Sequence, residues 1–299
     1  MSSTNNNNSS NNNTAQNSAS ATGTNVPMLN QLLAVATEAQ GVRPTDPNHC
    51  QMSEEDRAWL EAALGQIAAD SDPVKKLKRW MARLEEVGEP SEANLGDIDD
   101  ILEEIGDLVC DMDLAQYFCS LGGIELIQRF LAKQFDPCSA LLVHLVAVLA
   151  QYNERVQQLM LRSTTFLPHC LDIAVDSERS VDYRHKCVGA ISAMVKAYLP
   201  ALIRFVELDG PARLMRCFED GVQMGAATSV TPEGSGVRTK LAHRCAVAAV
   251  ALKRSFSVEV LNANPSFRRV AQCPAEMRAM LANVNEDGKW NDTLEFLAE

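Results

Sequence analysis

Phe118-Cys119-Ser120-Leu121-Gly122-Gly123-Ile124-Glu125-Leu126-Ile127 has a counterpart further along the chain, Phe205-Val206-Glu207-Leu208-Asp209-Gly210-Pro211-Ala212-Arg213-Leu214-Met215. In both, an apolar helix runs into a small or turn residue and leaves it as a second apolar stretch. Upstream of each lies an apolar-periodic helix, carrying Ile105, Leu108 and Val109 in one copy and Ile191, Met194 and Val195 in the other. The same unit can be traced from 97 to about 133, from 137 to about 176, from 181 to 220 and from 237 to about 274. A helical unit of roughly 40 residues cannot bury its apolar face alone and is expected to stack on its neighbours. Stacks of this kind present long faces to other proteins, which moves the expectation from enzyme to binding module.

Composition agrees. Of 299 residues 46% are hydrophobic but only 5% aromatic, which suits helices packed through Leu, Val and Ala better than a β-sandwich. Strand-like alternation is missing. The predicted fold class is all-α, an armadillo-like right-handed superhelix of about four repeats, with N-terminal helices before it and a C-terminal capping helix behind. The net charge of −12 repels phosphate backbones, so nucleic acid is not an expected partner and basic protein surfaces are. Nine cysteines stand singly without a CxxC pair, the pattern of reduced thiols in a cytoplasmic protein. The polar N-terminus lacks a signal-peptide core, and no run of eighteen apolar residues predicts a membrane span.

Residues 1–27, rich in Asn and Ser, are expected to be disordered. Residues 28–96 supply the N-terminal helices. The first carries Leu29, Leu32 and Leu33 and stops at Gly41. The second is capped by Ser53 and buries Trp59, Leu60 and Ile67. The third starts at Asp72-Pro73 and ends at Gly88-Glu89-Pro90. Repeats are expected over 97–275, with long helices at Ile98–Met112, Ser139–Tyr152, Tyr183–Ala197 and Arg238–Ser255 and a mobile insertion at 221–236. Residues 276–299, with Trp290, Leu294, Phe296 and Leu297, are expected to cap the last repeat.

Catalysis finds little support. His185/Cys187 and His243/Cys245 lie two apart, so on a helix they point away from each other, and His169-Cys170 has no further ligand nearby. Neither a metal nor a cofactor is expected. The acidic run is more informative. Asp97, Asp99, Asp100, Glu103, Glu104, Asp107, Asp111 and Asp113 contain no basic residue among them, and Asp100, Glu104, Asp107 and Asp111 form one helical stripe. Like charges at i, i+4 cost a few tenths of a kcal/mol each, roughly, a repulsion that a cationic partner would relieve; a merely solvated helix face is the plainer explanation. Arg179, Arg184, His185 and Lys186 predict a patch of opposite sign, which would orient a protein partner.

With those residues in view, the chain resembles the armadillo-type nucleotide exchange factors of the 70-kDa heat-shock chaperones, the heat-shock-protein-binding proteins. The resemblance runs from about Met28 to Asp220. It rests on Leu29-Asn30-Gln31-Leu32-Leu33, on Met52-Ser53-Glu54-Glu55-Asp56-Arg57-Ala58-Trp59-Leu60 and on Asp107 through Cys119, which includes Asp111-Met112-Asp113-Leu114-Ala115. Ala190-Ile191-Ser192-Ala193-Met194-Val195-Lys196 and Phe205 through Gly210 complete it. It implies a monomeric cytoplasmic co-chaperone whose concave face embraces the chaperone's ATPase domain and promotes ADP release. Implied contacts are Asp111, Met112, Asp113, Ala115, Gln151, Asn153 and Lys196, beside Glu104 and Asp107 of the acidic stripe and Arg184 of the basic patch. Leu114 stands where the family usually has Asn, Lys196 where it has Arg, and Thr164 replaces a turn glycine. The alternative is a generic armadillo scaffold holding an extended peptide. Such grooves use repeated Trp and Asn on the long helices, whereas Trp59, Trp80 and Trp290 all lie outside those predicted here.

Overall fold

The computed structural model describes residues 53–226, 232–285 and 288–298. The expected tail, the helix ending at Gly41 and Cys50 lie outside the described residues. Among the described residues the chain is all-helical, in fifteen helices. It divides into two units, Met1–Asp70 and Ser71–Glu299. Of the first unit, helix α1 (Glu54–Ser71) is described. Ser53 caps it as expected, its Oγ accepting from the Asp56 amide at 3.1 Å.

The second unit opens with α2 (Pro73–Val87). Asp72 caps it by accepting from the amides of Val74 and Lys75, with Pro73 in the first turn, and Gly88, at φ 78°, ends it. Thereafter one order of helices repeats. A fifteen-residue helix is followed by two shorter ones: α3 (Leu95–Val109), α4 (Met112–Ser120) and α5 (Gly123–Leu131), then α6 (Asp136–Ala150), α7 (Glu154–Arg162) and α8 (Phe166–Val175). Next come α9 (Val181–Val195), again fifteen residues, α10 (Leu199–Glu207) and α11 (Gly210–Ala226). The last round departs in length: α12 (Pro232–Arg254), α13 (Val258–Ala263) and α14 (Pro265–Val284), followed by α15 (Asn291–Phe296).

The long helices form one layer, α6 packing on α3 and α9, and α9 in turn on α12. The shorter helices build two further rows, α4 on α7 and α7 on α10 in one, α8 on α11 in the other. Nine residues of α6 are buried, among them Leu142, Leu145, Val146 and Leu149. That is too many for a single amphipathic stripe, because the helix is covered on several sides.

Two recurring details explain why the quoted stretches look alike. At Gly122, Thr164 and Asp209 the chain enters the left-handed region with φ of 89°, 58° and 54°. At all three the amide donates to the carbonyl three residues back, at 3.0–3.2 Å, which turns the chain between the two short helices. One residue on, a Cβ at Gly123 would run into the Phe118 ring, and one at Gly210 into the Phe205 ring and carbonyl. The Phe-x4-Gly spacing lets an aromatic ring of one short helix lie on the backbone of the next.

Several boundaries differ from the expected ones, the later long helices running over Asp136–Ala150, Val181–Val195 and Pro232–Arg254. The first long helix stops at Val109 rather than Met112, because Asp111 Oδ1 accepts from the amides of Asp113 and Leu114 and so starts α4. Pro274 lies inside α14 rather than ending a repeat; it is buried, and the helix continues through it to Val284. Of the stretch 221–236, α11 covers the beginning and α12 the end, while 227–231 lie outside the described residues. At the far end Trp290 and Leu297 are buried, and α15 packs on α12 and α14.

Gly210→Ala should destabilise the chain by about 1–3 kcal/mol through overpacking against Phe205. Thr164→Gly should stabilise it by up to ~1 kcal/mol, since a β-branched residue is held in the left-handed region there. Thermal melts of the two variants should therefore shift in opposite directions.

Candidate partner-binding face

Because α3, α6 and α9 have equal lengths, their positions correspond. Glu103 matches His144 and Gly189, Gly106 matches Ala147 and Ser192, and Asp107 matches Val148 and Ala193. The residues that cap the three helices are Cys110, Gln151 and Lys196. This register defines one strip along the layer of long helices, acidic on α3, neutral and small on α6 and basic from the end of α9 onward.

On α3 and its exit all eight acids, from Asp97 to Asp113, are exposed. No described lysine, arginine or histidine nitrogen lies within ion-pair distance of any of them, although ion pairs are plentiful elsewhere in the chain. Glu104 has a plain structural reason to be charged. Its counterparts Leu145 and Ala190 are buried inside the stack, whereas α3 begins the series of long helices. Glu103 and Asp107 lie on the shared strip. Asp111 spends one carboxylate oxygen capping α4, and Met112 beside it is 55% exposed.

Across α6, α9 and α12 the strip sinks into a hollow of about 170 Å³ lined by Ala147, Gln151, Gly189, Ser192, Lys196 and Arg244, with Tyr152 at its edge. Two expected contacts, Gln151 and Lys196, meet here. Lys196 Nζ donates to Tyr152 Oη at 2.6 Å and lies 4.4 Å from the centre of that ring. The backbone beneath is tied down by Gln157, a buried side chain whose Nε2 donates to the carbonyls of Ala193 (2.8 Å) and Lys196 (3.0 Å). Tyr152, Gly189 and Arg244 were not singled out from sequence. A lone arginine within the run Leu241-Ala242-His243-Arg244-Cys245-Ala246-Val247-Ala248 was the available signal.

Three expected contacts are corrected. Ala115 is buried in the core, where an approaching partner cannot touch it. Asn153 is buried as well: its Oδ1 accepts from Val156 N (3.3 Å) and its Nδ2 donates to the Met112 carbonyl (3.2 Å), so it caps α7 and ties it to α4. Arg184 is fully buried; its Nε donates to Ala174 O at 2.9 Å and its Nη2 to Asp220 at 3.0 Å. The expected basic patch is neutralised with it. Arg179 is paired with Asp136 and Asp176, and Lys186 with Asp182. Lys196 and Arg244 supply the positive end of the strip instead.

Chemistry elsewhere is subdued. Burial pushes the thiols of Cys119 and Cys138 up to about 11 and that of Cys273 up to about 12, so they are protonated. His169 Nε2 is 2.8 Å from Tyr183 Oη. No group of three or more His, Cys, Asp or Glu side chains is placed to hold a metal among the described residues. Nor is any described helix long and apolar enough to cross a membrane.

A protein with such a face and so little reactive chemistry invites comparison with known binding proteins. The chain is similar to Hsp70-binding protein 1. Identity to the rat protein is 30% over 203 residues, 65% of this chain and 56% of the relative. To the human protein it is 29% over the same length. The chain thus spans little more than half the length of the curated relatives it matches. No family model matches it.

Burial, followed by nearby cations, lowers the pKa of His144 below the ordinary 6.5; burial does the same for His169 and, with Arg244 beside it, for His185. As pH falls through 6.5 the unfolded chain therefore binds protons that the folded chain refuses, and stability is lost on acidification. The melting temperature should drop between about pH 7.5 and about pH 5.5, and His144→Gln with His185→Gln should flatten that dependence.

Proposed function

We propose that the chain is a co-chaperone that binds the ATPase domain of a 70-kDa heat-shock chaperone and promotes release of ADP. On this reading the helices form an armadillo-like right-handed superhelix of about four repeats. Residues 97–275 carry the repeats, 28–96 precede them and 276–299 close the last one. The layer of α3, α6, α9 and α12 is the concave wall, and the protein works as a monomer in the cytoplasm. The observation that carries the proposal is the long-helix strip, with acids that have no ion-pair partner among the described residues at one end and cations at the other, in a chain similar to proteins named for binding Hsp70. Glu104, Asp107, Asp111, Met112, Asp113, Gln151 and Lys196 are its contacts.

The mechanism requires no group of this chain to touch the nucleotide. A partner gripped along a rigid strip is held in the conformation that fits the strip. If that conformation binds ADP less well, the two ligands are negatively coupled, and the coupling is reciprocal: ADP weakens the grip by the factor by which the grip weakens ADP. Three rows of packed helices make the strip stiff enough to impose a shape rather than adopt one.

The chain should accelerate release of a fluorescent ADP analogue from a purified 70-kDa chaperone ATPase domain; no acceleration at saturating concentration rejects the exchange role. Reversing charge on α3 with Glu103→Lys and Asp107→Lys should slow association about tenfold at low salt, and the difference should shrink as salt is added. Stopped-flow association rates across an ionic-strength series would check this.

A further inference from the structure

We propose that the hollow between α6, α9 and α12 is a carboxylate-binding site, filled by an aspartate or glutamate side chain of the folded protein partner and held by Arg244 with Lys196. This rests on the chaperone-binding reading and names the chemistry by which the basic end of the strip would take hold.

Arg244 is the anomaly that leads there. The chain has 39 acidic residues against 27 lysines and arginines, and several of its guanidiniums pair with carboxylates, Arg129, Arg179, Arg184, Arg204, Arg213 and Arg269 among them. Arg244 pairs with none among the described residues, and its Nε is buried without a hydrogen-bond acceptor. A buried, unsatisfied donor on a permanent cation is costly, and a carboxylate held in the hollow beside the guanidinium would offset part of the cost of keeping that charge out of water. Among the described residues the wall of the hollow contains no acidic side chain, while Gln151, Ser192 and Lys196 add donors. Gly189 makes room for the guanidinium, since a Cβ there would strike its Nη2. The same local positive field reaches the flanking histidines, for Arg244 is among the charges that oppose protonation of His144 and His185.

Size selects the ligand. About 170 Å³ is well below the roughly 300–1,000 Å³ of a small-molecule site, but it accommodates a carboxylate head with its methylene. The terminal nitrogens of a guanidinium suit a planar carboxylate in a two-point contact. Lys196, anchored on Tyr152, supplies a second charge from the rim.

The test titrates the full chain against the purified chaperone ATPase domain by calorimetry, with melting temperature recorded for every variant. Arg244→Gln should weaken binding about tenfold or more, the loss expected for a hydrogen bond to a charged group. Gly189→Ala keeps every charge but crowds the guanidinium out of place, and should weaken binding too. In the unaltered protein the Arg244 Nε–Hε resonance should shift when the ATPase domain is added to saturation. Failure of the unaltered chain to bind would overturn both the chaperone reading and this site. Binding by the unaltered chain with equal affinity in both folded variants overturns the carboxylate site alone. Should Arg244→Gln not fold, Gly189→Ala and the resonance decide: unchanged affinity with an unmoved resonance rejects the proposal.

Discussion

A long helix in the middle of this stack must be apolar on opposite flanks at once, because α6 is packed between α3 and α9, and α9 between α6 and α12. Much else follows from that requirement. With both flanks and the side toward the short helices occupied, each middle helix retains only a narrow strip for any other purpose. On α6 and α9 the strip is lined by Ala147, Gly189, Ser192 and Ala193, small side chains that leave the surface sunken rather than ridged. The strip's chemistry is concentrated at helix ends and on the outermost helices, where packing makes fewer demands. Acids accumulate on α3, which begins the series, and the basic residues appear at the cap of α9 and on α12.

Polar side chains buried in the stack serve the same requirement. Helices that stop inside a packed molecule leave carbonyls and amides in need of partners. Asn153, Gln157 and Arg184 each reach from one helix to backbone carbonyls of another, at Met112, at Ala193 and Lys196, and at Ala174. They fix the spacing of successive units by hydrogen bonds, whereas the apolar contacts around them would tolerate some slip. Arg184 adds an ion pair to Asp220 whose arginine partner is wholly out of water. Such a pair is costly to break from one side even where its net contribution is small.

Periodicity carried most of the fold. Two stretches as far apart as Phe118 and Phe205 shared a pattern because the same ring lies on the same glycine, and that constraint is local enough to be written in adjacent residues. Ser53 and Asp72 were legible as caps for the same reason. Long-range consequences were not. Nothing adjacent to Asn153 or Ala115 in sequence says that a neighbouring unit will cover it, and a turn residue between helices looks exposed until the next repeat is laid upon it. Arg184, in a run of charged and polar residues, suggested a surface patch; its neighbours Arg179 and Lys186 found carboxylates, while it turned inward to Asp220. Arg244 was passed over for the opposite reason, since an apolar setting suggests core and its open Nε shows only in three dimensions.

The two ends of the strip differ in more than sign. The carboxylates of α3 stand in solvent, so their field extends over about a Debye length, ~8–10 Å at physiological salt, and is weakened by added ions. Such a field governs the rate and orientation of encounter. Arg244 is recessed, with one donor out of reach of water, and its influence is confined to what enters the hollow. A contact of that kind acts after encounter, on how long a complex lasts. A protein partner matching both ends would carry a basic surface over α3 and an acidic side chain over α12. A partner with either feature alone would meet an unrelieved charge at the other end, so the separation of opposite charges along one wall would provide discrimination that neither charge supplies by itself.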